Sequence, residues 1–399
     1  MNTLESIIEL EKQYHVGVYK RLPVCFVKGK GTRLWDTEGK EYLDFVAGLG
    51  VLNIGHSHPR FVEAIKKQVE SLTHVSNLFY TTNQLELARD LSTLFDQGKC
   101  FFANSGTEAN EGAIKLARKY ARLNLTGDRF EVITALRSFH GRTLAMVAAT
   151  GQPEKQNPYR PLPPGFIHVP LNDFSALEKA VTERTCVIML EPIQGEGGVY
   201  PCSKEYLKSV REICNEREIL LILDEVQTGI GRTGKMFAYE HYGIGPDIIT
   251  LAKGLGSGFP IGAIVAKDRV AQAFKHSDHA STFGGGPLAT AAATMTLKIL
   301  REEKLVEKAF EVGAYFKSTL EEWAQKNSTI KEVRGMGLML GLELTREVAK
   351  DIVLNCLKKG LVINGIGQTI LRFLPPLSVT EQEVDQAVAI LEEVLSTIK

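Results

Sequence analysis

The amino-acid sequence predicts an α/β protein with a large domain built on a mostly parallel sheet and a smaller α+β domain at the C-terminus. Three observations carry this. From about residue 60 to 290, short apolar runs alternate with amphipathic segments of helical period, the pattern of parallel βαβ units. Two of those runs, Ile219–Leu223 and Ile248–Leu251, are almost wholly apolar, as strands buried on both faces are. After about 295 the texture changes to a long helical stretch, two strand-like segments and a final helix.

In chain order, residues 1 to about 20 read as an opening helix. Val24–Phe45 reads as a small antiparallel meander whose turn, Trp35–Lys40, uses Gly39 for a positive φ. Strands are expected at Lys99–Ala103, Glu131–Ala135, Val187–Glu191, Ile219–Leu223, Ile248–Leu251 and Gly262–Ala266. Helices are expected at Thr107–Leu123 and Lys204–Glu216. Beyond them lie a helical stretch from Leu297 to Asn327, strand-like Val333–Leu344 and Ile370–Leu374, and a closing helix, Glu381–Ile398. The expected division is an N-terminal segment, 1–58, packing with the small domain; a large domain, 59–295; and the small domain, 296–399.

Composition narrows the function classes. With 399 residues, 44% hydrophobic and 24% charged, the chain is an ordinary globular one. Its 47 basic and 47 acidic residues cancel, leaving no footprint for nucleic acid or an anionic membrane. No apolar run reaches the length of a membrane span. The opening residues Met1–Ser6 lack the basic and apolar stretches of a secretion signal, and the six scattered cysteines form no Cys-x-x-Cys pair. The expectation is a cytoplasmic protein with free thiols. His56, His58, His276 and His279 have ligand-like spacing but no third ligand, so no metal is expected.

The chemistry concentrates at strand ends. Asp224 closes one buried run, and Lys253 follows the next, with Gly254, Gly256 and Gly258 beside it. A lysine is ordinarily a solvated surface charge. One at the mouth of a buried strand is partly desolvated, which lowers its pKa and frees its amine to attack a carbonyl. Asp224 alone could be a cap; opposite Lys253 it suits the nitrogen of a pyridine ring, with Gln227 able to donate to a ring hydroxyl. That pair points to pyridoxal phosphate.

Ser105-Gly106-Thr107 leads from a strand into a helix, where free amides and two hydroxyls make an anion site, although such residues often only cap. Phe139 and Arg142 offer an aromatic face and a carboxylate grip. Arg372 stands inside an apolar strand pattern and needs a carboxylate, for which Glu196 is a candidate. Gly229–Met236 imitates a P-loop, but Met236 replaces the magnesium-binding hydroxyl and the order relative to the acidic strand is reversed.

Over nearly its whole length the chain resembles the class-III aminotransferases, of ornithine and acetylornithine type, in the fold-type-I pyridoxal-phosphate superfamily. The likeness rests, in order, on Gly55–Pro59, Asn104–Asn110, Phe139–Arg142, Glu191–Gly198, Asp224–Gly229, Ala252–Gly254 and Ser281–Gly285. It implies a seven-stranded, mostly parallel sheet and a homodimer with shared sites. Lys253 would anchor the cofactor covalently and then move the proton. Asp224 would pair with the pyridinium and Gln227 with the ring oxygen, within a binding stretch that includes Glu225 and Val226. Phe139 would stack on the ring, Ser105, Gly106 and Thr107 would hold the phosphate, and Thr282 would reach the phosphate of the other subunit. Ser281 would lie near the substrate. Arg142 and Arg372 would bind carboxylates, with Glu196 masking Arg372 until 2-oxoglutarate or glutamate arrives.

Within the family the chain is most similar to acetylornithine aminotransferases, because Leu49 stands about where ornithine δ-aminotransferases place a tyrosine for a free α-amine. Gly286 departs from the asparagine of many relatives. The activity implied is transfer of the ω-amine of N2-acetylornithine to 2-oxoglutarate in arginine biosynthesis, with succinyl-diaminopimelate a further candidate donor. Other ω-amines (ornithine, γ-aminobutyrate, a diamine), an aminomutase or decarboxylase, and a non-enzymatic binding protein are the alternatives.

Overall fold

The computed structural model describes residues 3–398. Its opening helix, Leu4–Tyr14, starts on Thr3, whose side chain accepts from the Ser6 amide. It is shorter than the expected 1–20; Met1 and Asn2 lie outside the described residues. None of its residues is buried, so packing does not extend it across the β-branched, glycine-containing Val16-Gly17-Val18 that follows.

The meander is formed by β1 (Phe26–Lys30), β2 (Arg33–Asp36) and β3 (Glu41–Asp44), paired antiparallel. Gly39 takes φ +82° in its turn, and Asp36 Oδ1 accepts from the amides of Glu38 and Lys40, both at 2.9 Å.

The large sheet holds seven strands, of which β4 (Lys99–Ala103), β5 (Glu131–Ala135), β6 (Phe166–Val169) and β7 (Thr185–Leu190) come first. A two-residue pair, β8 (Ile193–Gln194) and β9 (Tyr200–Pro201), forms a separate ribbon. Then come β10 (Leu220–Asp224), β11 (Ile248–Leu251) and β12 (Gly262–Ala266). The order is β4-β12-β11-β10-β7-β5-β6, with β12 alone antiparallel to its neighbours. Every residue of β7, β10, β11 and β12 is buried, which is why those runs read so clearly. The sequence reading lacks β6. That strand is at the sheet edge, three of its four residues are half-buried, and prolines flank it, so its apolar signal is weak.

The C-terminal part corrects two expectations. The helical stretch 297–327 is two helices, Pro287–Glu302 and Leu305–Lys326, broken at Lys304 with φ +53°. Leu300 and Leu305 are both buried on either side of the break, so the apolar periodicity runs through it. Val333–Leu344 is no single strand but part of a hairpin, β13 (Ile330–Met336) and β14 (Met339–Leu344), turning at Gly337 with φ +54°. A Cβ on Gly337 would lie 2.4 Å from the Thr233 backbone, so the turn is also a close approach. The remaining strands are β15 (Leu361–Val362), β16 (Asn364–Ile366) and β17 (Ile370–Phe373). Strands β13-β14-β17-β16 make one antiparallel sheet, while β15 joins β3 in parallel. The closing helix, Glu381–Thr397, begins with a reciprocal Thr380–Glu383 cap.

Candidate active site

Strands β4, β5, β7, β10 and β11 end at one edge of the large sheet, where open α/β sheets bind ligands. The loops leaving them enclose a cavity of about 400 Å³. At one side, Ser105 caps the helix Gly106–Asn124, its Oγ accepting from the Glu108 amide at 3.3 Å. The first amides of that helix have no acceptor within it, and with the Thr107 hydroxyl and the positive end of the helix they form an anion site.

Asp224 ends β10 on the cavity wall and is only 4% exposed. Its Oδ2 accepts from Asn110 Nδ2 and His140 Nδ1, both at 2.8 Å, and Oδ1 accepts from the Val226 amide at 3.1 Å. Burial pulls the His140 imidazole down, but the Asp224 bond and charge, with Glu191, outweigh it and hold the ring above its ordinary value. Glu191 follows β7 and accepts from the amides of Phe139 (2.9 Å) and Gly195 (3.2 Å). Burial pushes its carboxyl up to about 7, with the Asp224 charge adding to the rise and His140 opposing it.

Lys253 stands just past β11. It has φ +40°, a strained value for a side-chain-bearing residue and one that clusters at functional sites. Among the described residues no carboxylate is within 4.0 Å of its Nζ. Burial pulls the ammonium below its ordinary value; Glu196 opposes this and Arg372 adds to it. Gly254 fits only because it lacks a Cβ, which would lie 2.3 Å from Asn53 Nδ2.

A second cleft of about 610 Å³ adjoins the cavity and shares Glu196 with it. Arg372, 1% exposed on β17, donates Nη1 to Glu196 Oε1 at 2.7 Å. Asn364 Oδ1 accepts from Arg372 Nε (3.0 Å) and Nη2 (2.7 Å), so the guanidinium is held on two sides. Burial raises the Glu196 carboxyl, and Arg372 more than reverses that, leaving it below its ordinary value. Leu49 lines the cleft from Ala47–Gly50, four successive residues with φ of 47°, 64°, 68° and 75°. Left-handed backbone costs roughly 1–2 kcal/mol per non-glycine residue, so this turn is held by its surroundings; Leu49 O accepts from Gln227 Nε2 at 3.4 Å.

The structure thus brings Ser105, Gly106, Thr107, Phe139, Arg142, Glu196, Asp224, Val226, Gln227 and Lys253 to one cavity, with Arg372 beside it. Glu225 does not line the cavity. Its carboxylate turns away, accepting from the Thr228 hydroxyl (2.5 Å) and the Tyr239 amide (2.9 Å) inside the protein. Thr282 lies off the cavity, in a small hollow with Asn77 and Gln84, and Ser281 Oγ accepts from Asn104 Nδ2 at 3.3 Å. Sequence reasoning gave no role to Asn110, His140 or Glu191. Glu191 carries the same signal as Asp224, an acid closing an apolar run; Asn110 shows only as a polar residue on an otherwise apolar helix face. The P-loop imitation is a clamp: buried Arg232 donates to the carbonyls of Leu338 (3.1 Å) and Pro375 and to Asn53 Oδ1 (2.8 Å).

A buried acid, a half-buried amine with no carboxylate beside it among the described residues, and a helix-end anion site in one cavity are the parts of a carbonyl-cofactor enzyme. The family description "Aminotransferase class-III" matches residues 14–395. The chain belongs to the class-III aminotransferases. This aminotransferase is 56% identical over 393 residues, 98% of it and 100% of its relative, to the acetylornithine aminotransferase of Caldanaerobacter subterraneus subsp. tengcongensis. It is 52% identical to that of Methanocaldococcus jannaschii, covering 99% of each. Among solved structures it is similar to an ornithine aminotransferase of Toxoplasma gondii with PLP at partial occupancy in the active site. There the TM-score is 0.95 and the identity 36%, over 99% of the aminotransferase and 95% of that chain. Among its described residues no helix is long and apolar enough to cross a membrane.

Proposed function

We propose that this aminotransferase moves the ω-amino group of N2-acetylornithine to 2-oxoglutarate, giving N-acetylglutamate 5-semialdehyde and glutamate. The observation that carries the reading is the closed Glu196–Arg372 pair beside Lys253. One arginine masked by a movable carboxylate lets a single site take an ω-amine in one half-reaction and glutamate in the other. The donor's identity draws support from the relatives named acetylornithine aminotransferase. Leu49 supports it too. An apolar lip in a cleft that also holds Arg137, Lys155 and Arg372 suits a neutral acylated nitrogen better than a free ammonium.

Pyridoxal phosphate fits the donor set, and when bound it supplies an electron sink for the carbon losing its proton. In this reading Lys253 holds the cofactor and carries the proton, its amine made available by burial. Asp224 meets the ring nitrogen, steadied by Asn110 and His140. Ser105, Gly106 and Thr107 take the phosphate, Phe139 and Val226 contact the ring, Gln227 reaches the ring oxygen and Arg142 takes the donor carboxylate.

The active form in this reading is a homodimer, in which Thr282 of a second copy completes the phosphate site and Ser281 lies near the substrate. Support comes from Leu78, Phe79, Tyr80 and Phe283, large apolar side chains 65–93% exposed: Phe79 lines the hollow containing Thr282, and the other three adjoin its lining residues in sequence. The working compartment in this reading is the cytoplasm, and six unpaired cysteines suit it.

The test is glutamate formation from 2-oxoglutarate with a donor panel of N-acetylornithine, succinyl-diaminopimelate, ornithine, γ-aminobutyrate and a diamine. N-acetylornithine should give the highest kcat/KM; a higher value for ornithine or γ-aminobutyrate contradicts the donor assignment.

A further inference from the structure

The geometry points to Lys155 as a second cation for the donor's α-carboxylate, acting with Arg142; this rests on the reading of an ω-amino-acid donor. Lys155 lies on the short helix Pro153–Gln156 and lines the cleft that contains Glu196, Asn364 and Arg372. Its Nζ is 5.3 Å from the centroid of the Phe139 ring, and the Arg142 guanidinium carbon is 5.2 Å from the same centroid. Two cations therefore share one aromatic side chain at the junction of the cavity and the cleft.

Neither has a counter-ion. Among the described residues no carboxylate is within 4.0 Å of Lys155 Nζ or of the Arg142 guanidinium. The one side-chain hydrogen bond of Lys155 goes to a neutral acceptor, Gln152 Oε1. Of the nearby acids, Glu196 is engaged by Arg372 and Glu191 by the amides of Phe139 and Gly195, while Glu154 lines the same cleft more than 4.0 Å away. Burial and the charge of Arg142 both pull the Lys155 ammonium down, with Glu196 opposing. Lys155 is half-buried and Arg142 exposed; a half-buried ammonium beside a like charge without an anion is unfavourable, and a ligand carboxylate that meets both cations relieves it. The site thus has two carboxylate positions. Arg372 holds one, closed by Glu196 in the absence of glutamate, while Lys155 and Arg142 hold the other, open to the donor.

The experiment uses the holoenzyme and its Lys155→Gln and Lys155→Arg variants. It measures the donor concentration that half-saturates the first half-reaction, followed by cofactor absorbance. N-acetylornithine is compared with N-acetylputrescine, the same acylated amine without the carboxylate. Lys155→Gln should raise the value for N-acetylornithine about tenfold, leave N-acetylputrescine within about twofold, and Lys155→Arg should restore most of the loss. Equal effects on both acylated amines, or none on N-acetylornithine, overturn the proposal. If wild-type enzyme prefers another ω-amino acid, the donor assignment has failed by itself, and the same comparison with that donor and its decarboxylated amine still decides the role of Lys155.

Discussion

Asp224 Oδ2 and His140 Nδ1 are 2.8 Å apart, and both residues are all but closed to solvent. Asn110 Nδ2 meets the same oxygen at 2.8 Å. Two buried donors thus fix the carboxylate that faces the cavity, so its position is set before anything binds.

Asp224→Ala removes that carboxylate and strands both donors. The expected result is a kcat loss on the order of 10³-fold, the scale of losing a preorganised charge at a reacting centre. Folding should weaken by about 1–3 kcal/mol for each buried group left unpaired. Steady-state kinetics at saturating cofactor and a thermal melt read the two effects separately.

Glu196→Gln unmasks Arg372. An ion pair becomes a bond from the guanidinium to a neutral amide oxygen, so the arginine is freer to take the carboxylate of 2-oxoglutarate. The KM for 2-oxoglutarate should fall, by up to about tenfold for a difference near 1.4 kcal/mol. The donor half-reaction should slow, because a buried cation without its counter-charge now sits beside an amine that has no carboxylate there. Kinetics of each half-reaction, measured alone, test the split.

Glu191 makes a pH prediction. Its folded carboxyl is raised from 4.5 to about 7. The native chain therefore keeps a proton that the unfolded chain loses first, so this group costs stability as pH rises through that window and the cost levels off above it. Glu191→Gln should gain on wild type by about 1–3 kcal/mol between pH 4.5 and 7. Any constant offset from altered hydrogen bonding does not vary with pH. Unfolding in urea across that range gives the difference curve, and a flat curve contradicts the assignment.

Gly254→Ala should damage the site without touching a reacting group. The new methyl meets Asn53 at 2.3 Å. Asn53 cannot swing aside, because Nδ2 donates to Ile230 O (2.7 Å) and Oδ1 accepts from Arg232 (2.8 Å). Overpacking of this kind costs about 1–3 kcal/mol. A lower melting temperature with reduced kcat is expected, as the strain falls on the residue next to Lys253.

Much of this was legible in the sequence because burial writes itself into composition. The strands β7, β10, β11 and β12 are buried throughout and read as apolar runs, and the residues that close or follow them, Asp224 and Lys253 among them, stand out as charges where none should be. The edge strand β6 and the break at Lys304 left no comparable mark, since the first is half-exposed and the second interrupts no apolar spacing. The cleft was legible only in part. Arg372 was visible as a charge in an apolar strand, but Asn364, which holds it, reads as a turn residue before Gly365, and Lys155, which lines the same cleft from a distant segment, is a polar residue in polar surroundings. Only the fold brings them together.

The most direct test of the central claim is the absorbance of the purified holoenzyme during two successive half-reactions. N-acetylornithine should discharge the cofactor band faster than ornithine or γ-aminobutyrate, and 2-oxoglutarate should restore it, with neither change in Lys253→Ala. A band that fails to respond to N-acetylornithine, or a Lys253→Ala enzyme that cycles as wild type does, would contradict the account.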